Sequence, residues 1–251
     1  MSSVWLPCGD YHQDYKEDQG WWQTKFIKGK MLLLLLVVFV GIPLLFDEYW
    51  MSVATMVGYT AMGALGVQLL IGYAGLLTLG HAAFIAVGAY TSTMLILQFP
   101  WPQFMVDAGL AYPVSIVAAG VVAGLWSVLF GLPSVKVKGF YLILTTMAAQ
   151  FITVDFILTQ YVSQIGGRGQ AFSLPPGTIK IGPWVIDNEL SIYLVMVVML
   201  SLMIIVLANL LRSKPGRAWV AIRDNDIAAE ALGINIVWYK LLAFFVAGFM
   251  A

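Results

Sequence analysis

Apolar residues run along this chain in long blocks, and the polar residues gather in the short stretches between them. From Tyr49 to Val106 there is no Asp, Glu, Lys or Arg. A bilayer core takes roughly 20 helical residues to cross, so this stretch alone crosses at least twice. The blocks predict crossings at Met31 to Phe46, Tyr49 to Ile71, Ala82 to Gln98, Leu110 to Leu132, Phe140 to Tyr161 and Leu190 to Leu211. A seventh opens at Leu241 and is cut by the chain end at Ala251. The expected fold is therefore an all-α, polytopic integral membrane protein with about six complete spans and the start of another. A half-finished span leaves an apolar face without a partner, so the chain is expected to be C-terminally truncated.

Composition agrees. Of 251 residues 61% are strongly apolar and 10% charged, against roughly a quarter charged in a soluble domain. This excludes a soluble enzyme domain, a disordered tail and a nucleic-acid binder working through a basic patch. The 13 basic and 13 acidic residues cancel, and the single cysteine, Cys8, rules out an internal disulfide. Basic loops stay on the cytoplasmic side. With the N-terminus inside, alternation places Lys16, Lys25, Lys28, Lys30, Lys136, Lys138, Arg212, Lys214, Arg217, Arg223 and Lys240 on that side, leaving only Arg168 and Lys180 outside. Residues 1–30 then form a cytoplasmic tail and 31–251 a transmembrane domain. The acidic, aromatic tail lacks the basic start and small-residue cleavage site of a secretory signal. Trp21, Trp22, Tyr49 and Trp50 suit the interfacial belts around the first crossing. Cys8, Asp10, His12 and Asp14 match no zinc spacing, and no metal site is expected.

The apolar body is interrupted by GYAGLLTLGH, Gly72 to His81. Each glycine in a helix costs about 1 kcal/mol relative to Ala, so Gly72, Gly75 and Gly80 predict a break. Broken backbone at membrane depth is tolerated where protein or a watery cavity satisfies it, which makes Gly72, Gly75, Thr78, Gly80 and His81 candidates for the wall of a translocation path. A tight cytoplasmic turn is the other reading of the same glycines. His81, the only histidine of the apolar body, is expected to be neutral and hydrogen-bonded in a structural role, since a proton relay needs further partners. Asp155, near the outer end of the fifth crossing, reads as a hydrated or interhelical cap. Ala119 with Ala123 and Gly120 with Gly124 are small residues at four-residue spacing, the pattern of closely packed membrane helices.

The longest polar excursion, 212–240, reads RSKPGRAWVAIRDNDIAAEALGINIVWYK. Pro215 and Gly216 are expected to end the sixth span. A short helix follows, with Asp224, Asn225 or Asp226 as N-cap, Ile227 to Leu232 as body and Gly233 as stop. Two turns of helix do not hold in water alone, so this one needs a surface to dock on.

The segments GYAGLLTLGHAAFIAVGAYTSTML (Gly72 to Leu95) and GRAWVAIRDNDIAAEALGINIVWYKLLAF (Gly216 to Phe244) resemble the two strongest signatures of LivM-type permeases. VKVKGFYLILTTMAAQFI, Val135 to Ile152, is similar to another stretch of that family. The family comprises membrane subunits of ATP-binding-cassette importers for branched-chain amino acids. The resemblance implies that the short helix is a coupling helix seated on an ATPase subunit, with Arg223, Asp224, Asn225, Asp226, Ala228, Ala229, Glu230, Ala231 and Gly233 as docking candidates. It also implies a second, LivH-like permease subunit, two ATPase subunits, an external amino-acid-binding protein and a place in a bacterial inner membrane. No G-x-x-x-x-G-K-[ST] loop occurs, so no cofactor is expected on this chain, and ATP and magnesium would be used by the partners. IGGRGQAFSLPP departs from the family's glycine stretch at Arg168 and at Gln170 to Ser173. Permeases for urea and short amides share the glycine segment but usually lack a run like DIAAEALG. The rivals are thus a urea or short-amide permease and a stand-alone secondary carrier with its site at the Gly72–His81 break.

Overall fold

The computed structural model describes residues 29–30, 33, 37–45, 47–135, 139–159, 180–182, 184–186 and 188–251. Residues 31, 32, 34–36 and 46 of the first crossing, nearly all of the tail with Cys8, Asp10, His12, Asp14, Trp21 and Trp22, the lysines 136 and 138, and the Gly166–Ser173 stretch lie outside those residues.

The described apolar blocks are helical, separated by short non-helical connections. Helix α1 is Glu48–Gln68 and runs on as a π-turn over Leu69–Tyr73. Next come α2, His81–Gln98, the short α3, Gln103–Asp107, and α4, Ala111–Val135. Helix α5 is Phe140–Phe151, continued by a π segment over Ile152–Leu158. A two-stranded antiparallel ribbon, β1 Lys180–Ile181 and β2 Trp184–Val185, precedes α6, Glu189–Arg212. Helices α7, Lys214–Asp224, α8, Asp226–Ala231, and α9, Ile236–Met250, close the chain.

Four of these are long and apolar enough to cross a membrane: Glu48–Tyr73, His81–Gln98, Ala111–Pro133 and Glu189–Arg212. They coincide to within a few residues with the crossings expected from the apolar blocks. The fifth expected crossing is helical from Phe140 to Phe151 and continues as the π segment over Ile152–Leu158, and its last residues lie outside the described ones. The helix expected from Leu241 begins at Ile236, where the Asn235 side chain accepts a hydrogen bond from the Trp238 amide at 3.1 Å.

Small residues set the tightest seam. Helix α4 lies against α9 with Ala119 and Ala123 buried. A methyl group on Gly124 would stand 2.9 Å from the Phe245 ring, and one on Gly120 3.1 Å from Phe249. Only glycine lets those rings approach. At the same seam Ser127 Oγ donates to the Phe244 carbonyl at 2.6 Å, giving a buried polar group its partner in a region without water. The core is centred on Leu69, Leu70, Phe84, Trp219 and Phe244, and a smaller cluster of Met51, Tyr193, Met196 and Val197 joins α1 to α6.

Two ends of the bundle can be told apart. One holds residues 74–80 and the segment from Leu211 to Gly233; the other holds the 99–110 connection and the ribbon, where the Gly182 amide donates to the Gly109 carbonyl. This is the sidedness that alternating crossings require.

Candidate functional site

The polar excursion expected to be a loop with one helix holds two helices. Pro215 and Gly216 do not simply terminate the sixth span. Ser213 breaks the helix, and Pro215 sits in the first turn of α7, where its missing N–H is no loss and its fixed φ favours helix. Helix α7 is amphipathic and buries Gly216, Ala218, Trp219 and Ile222. Trp219 is fully buried and its indole N–H donates to the Tyr239 carbonyl at 2.7 Å, which fastens α7 to the start of α9.

Helix α8 has well-formed ends. Of the three candidate caps, Asn225 does the capping: its side-chain oxygen accepts from the amides of Ile227 at 3.0 Å and Ala228 at 3.1 Å. At the other end the Gly233 amide donates to the Glu230 carbonyl and the Ile234 amide to that of Ala229, with Gly233 at φ +81°. That pairing is the Schellman end, which requires a left-handed residue and so favours glycine. The helix is held from beneath by Ala229, which is buried, and by an ion pair between Lys240 and Asp226 at 3.2 Å. The Lys240 side chain is only 8% exposed, so Asp226 supplies the counter-charge that such burial demands.

These bonds sort the residues expected to face a partner. Asn225 and Asp226 are engaged within the chain, and Ala229 is turned inward. Arg223 reaches sideways to Asp224 at 3.0 Å and to the Gly72 carbonyl at 2.7 Å. Ala228, Glu230, Ala231 and Gly233 lie open. Beside them stand two side chains that sequence reasoning did not nominate, Ile227 at 78% and Leu232 at 80% exposure, with Trp238 at 62% on the next helix. The signal available for them was their place within the run: apolar residues five apart, flanking a buried alanine.

The glycine break is real and sits against this unit. Helical bonding ends in the π-turn, and 75–80 are non-helical, with Gly75 at φ +67°. A methyl on Gly75 would come within 2.8 Å of Arg223 Cγ. Thr78 Oγ1 accepts from the Gly80 amide at 3.2 Å, and the Leu79 amide donates to Thr146 Oγ1 of α5 at 3.2 Å. Gly72, Gly75, Thr78, Gly80 and His81 thus form one segment suspended between α7 and α5. The Leu76, Leu79 and Gly80 amides find protein acceptors, which helps irregular backbone to persist in such a place.

His81 is buried, as expected, but the hydrogen bond expected for it is missing. Neither ring nitrogen has a hydrogen-bond partner. The ring is held by shape instead: edge-on to Phe84 and under Gly66, where a methyl group would meet it at 2.6 Å. Asp155 lies exposed in the π segment of α5. Among the described residues no group of three His, Cys, Asp or Glu side chains could hold a metal ion.

The fold and site define a multi-pass helical membrane protein with a braced pair of short helices at one end, abutting the break between two membrane helices. The chain belongs to the branched-chain amino acid transport system / permease component family, which matches residues 49–251. It is 29% identical over 247 residues to the high-affinity branched-chain amino acid transport system permease protein LivM of Salmonella typhimurium, and 28% identical over 247 residues to LivM of Escherichia coli. Each alignment covers 90% of this chain and 56% of the relative, so the chain spans about half the length of the curated relatives it matches. No solved structure matches it.

Proposed function

We propose that this chain is a permease subunit of an ATP-binding-cassette importer for branched-chain amino acids in a bacterial inner membrane. It contributes part of the path and receives mechanical work through α7 and α8. The observation that carries this reading is the open apolar rim of α8. Ile227 and Leu232 project into solvent from a helix whose other side is held to the bundle by the Asp226–Lys240 ion pair and the burial of Ala229. Covering such a side chain contributes about 1.5–3 kcal/mol.

A lipid surface suits the rim poorly. The residues from Asp224 to Ile234 contain Asp224, Asp226 and Glu230 and no Lys or Arg, whereas an anionic leaflet attracts basic helices. A groove on an ATPase subunit fits a short, two-sided helix with alanines at its edge. The N-terminus and the α7–α8 end then lie in the cytoplasm. The other partners are a second permease subunit, a second ATPase subunit and an external amino-acid-binding protein, and hydrolysis belongs to the ATPases. The family and the LivM relatives favour branched-chain amino acids over urea, short amides or a stand-alone carrier.

The test is reconstitution of the full complex with Glu230→Arg or Gly233→Val. ATPase subunits should dissociate and leucine uptake should stop. Continued uptake with the ATPase subunits unbound would refute the role.

A further inference from the structure

The side chain of Arg223 does something that docking does not require. It extends from the last turn of α7 to the end of α1 and donates from Nη1 to the carbonyl of Gly72, a residue 151 positions away, at 2.7 Å. That carbonyl belongs to the last turn of a helix, where main-chain acceptors lack intrahelical partners. A guanidinium is well suited there, because it supplies a donor and places positive charge at the negative end of the helix dipole. The remaining nitrogens of Arg223 are occupied: Nε and Nη2 both donate to Asp224 Oδ1, at 3.2 and 3.0 Å. Asp224 thereby fixes the plane of the fork and aims Nη1 at Gly72. Gly75 completes the arrangement, since its absent side chain leaves the room in which the Arg223 stem lies.

On the reading given under Proposed function, we propose that Arg223 is a positioning residue. It is a strut that passes displacement of the α7–α8 unit to the Gly72–Gly80 break, with Asp224 as its brace and Gly75 as its seat. The far end of the break is pinned to α5 through Leu79 and Thr146, and α2 begins directly after it at His81. A shift at α7 is therefore delivered between α1 and α2, at the Gly72–Gly80 break. Rigid elements joined in this way convert a small movement at one site into rearrangement at another.

The experiment uses the assembled importer in proteoliposomes with its binding protein, labelled leucine and ATP, and compares Arg223→Met, Arg223→Lys and Gly75→Ala with the unaltered chain. Arg223→Met keeps the stem and removes the fork. It should retain the ATPase subunits yet consume roughly tenfold more ATP per leucine imported, the factor that loss of a charge-assisted hydrogen bond corresponds to. Arg223→Lys should recover part of the coupling, and Gly75→Ala should mimic Arg223→Met. A mere loss of stability would lower hydrolysis and uptake together and leave their ratio unchanged, which would overturn the strut. So would dissociation of the ATPase subunits, which would make Arg223 a docking residue. Backbone hydrogen exchange on the same chains reads the strut without reference to transport. Faster exchange over Leu76–Gly80 in Arg223→Met supports it, and unchanged exchange refutes it. Absence of leucine uptake by the unaltered complex would count against the functional reading alone, with the strut then decided by the exchange result.

Discussion

The two ends of the bundle are held together by different means. At the α7–α8 end, long-range polar bonds tie separate elements to one another: Arg223 to Gly72, Lys240 to Asp226, Trp219 to Tyr239 and Leu79 to Thr146. At the end that carries α3 and the ribbon, the ties join neutral groups: Trp101 donates to Leu95, the Ser92 and Ser115 hydroxyls meet at 3.4 Å, and the Gly182 amide donates to the Gly109 carbonyl at 3.4 Å. Apolar packing resists separation but lets surfaces slide, whereas a directional bond to a fixed acceptor transmits position. The first end thus has side chains bonded directly to groups on other elements, the arrangement that the proposed transfer of displacement requires.

The largest effect should come from Trp219→Ala, which empties the middle of the braced end and frees the Tyr239 carbonyl. A loss of about 3–5 kcal/mol is expected, read as a fall in the unfolding midpoint in detergent. Next is Asp226→Ala. It leaves Lys240 charged and buried, and because Asp226 is one-fifth exposed a cost near the lower limit of about 3 kcal/mol is expected. The double change Asp226→Leu with Lys240→Met should recover most of that stability, and an unrecovered double variant would show that the pair is not the brace. Asn225→Ala removes the cap of α8 and should cost about 1 kcal/mol, with faster amide exchange confined to Ile227 and Ala228. The smallest effect belongs to the other end. Lys180→Ala, on the exposed ribbon, should stay within about 0.5 kcal/mol. An effect there as large as that of Asp226→Ala would erase the contrast between the ends.

Much of the fold was legible because membrane helices announce themselves by uninterrupted apolarity and by small residues at four-residue spacing. Tyr49 to Ile71 and Leu190 to Leu211 needed little more, and Ala119, Gly120, Ala123 and Gly124 proved to form the α4–α9 seam. The caps of α8 were also local signals. Helix α7 was hidden because Pro215-Gly216 marks a stop when read from the preceding helix and a start when read from the following one. The π segment in α5 was not legible either, since apolarity marks a crossing without recording how its turns are wound. The pairings of Arg223 with Gly72 and Lys240 with Asp226 depend on where the chain returns in space, which no local spacing records. His81 shows the same limit from the other side: its burial was readable from the apolar surroundings, whereas the lack of a hydrogen-bond partner is a property of the packed site.

The central claim is that α8 rests on a motor protein. Cys8 is the single cysteine of these 251 residues, so a Cys8→Ser background with Ala228→Cys places its one thiol on the open side of α8. Cross-linking with a short thiol-to-amine reagent in an actively transporting complex should give a single adduct with an ATPase subunit. An adduct with no ATPase subunit, while uptake continues undiminished, would contradict the account.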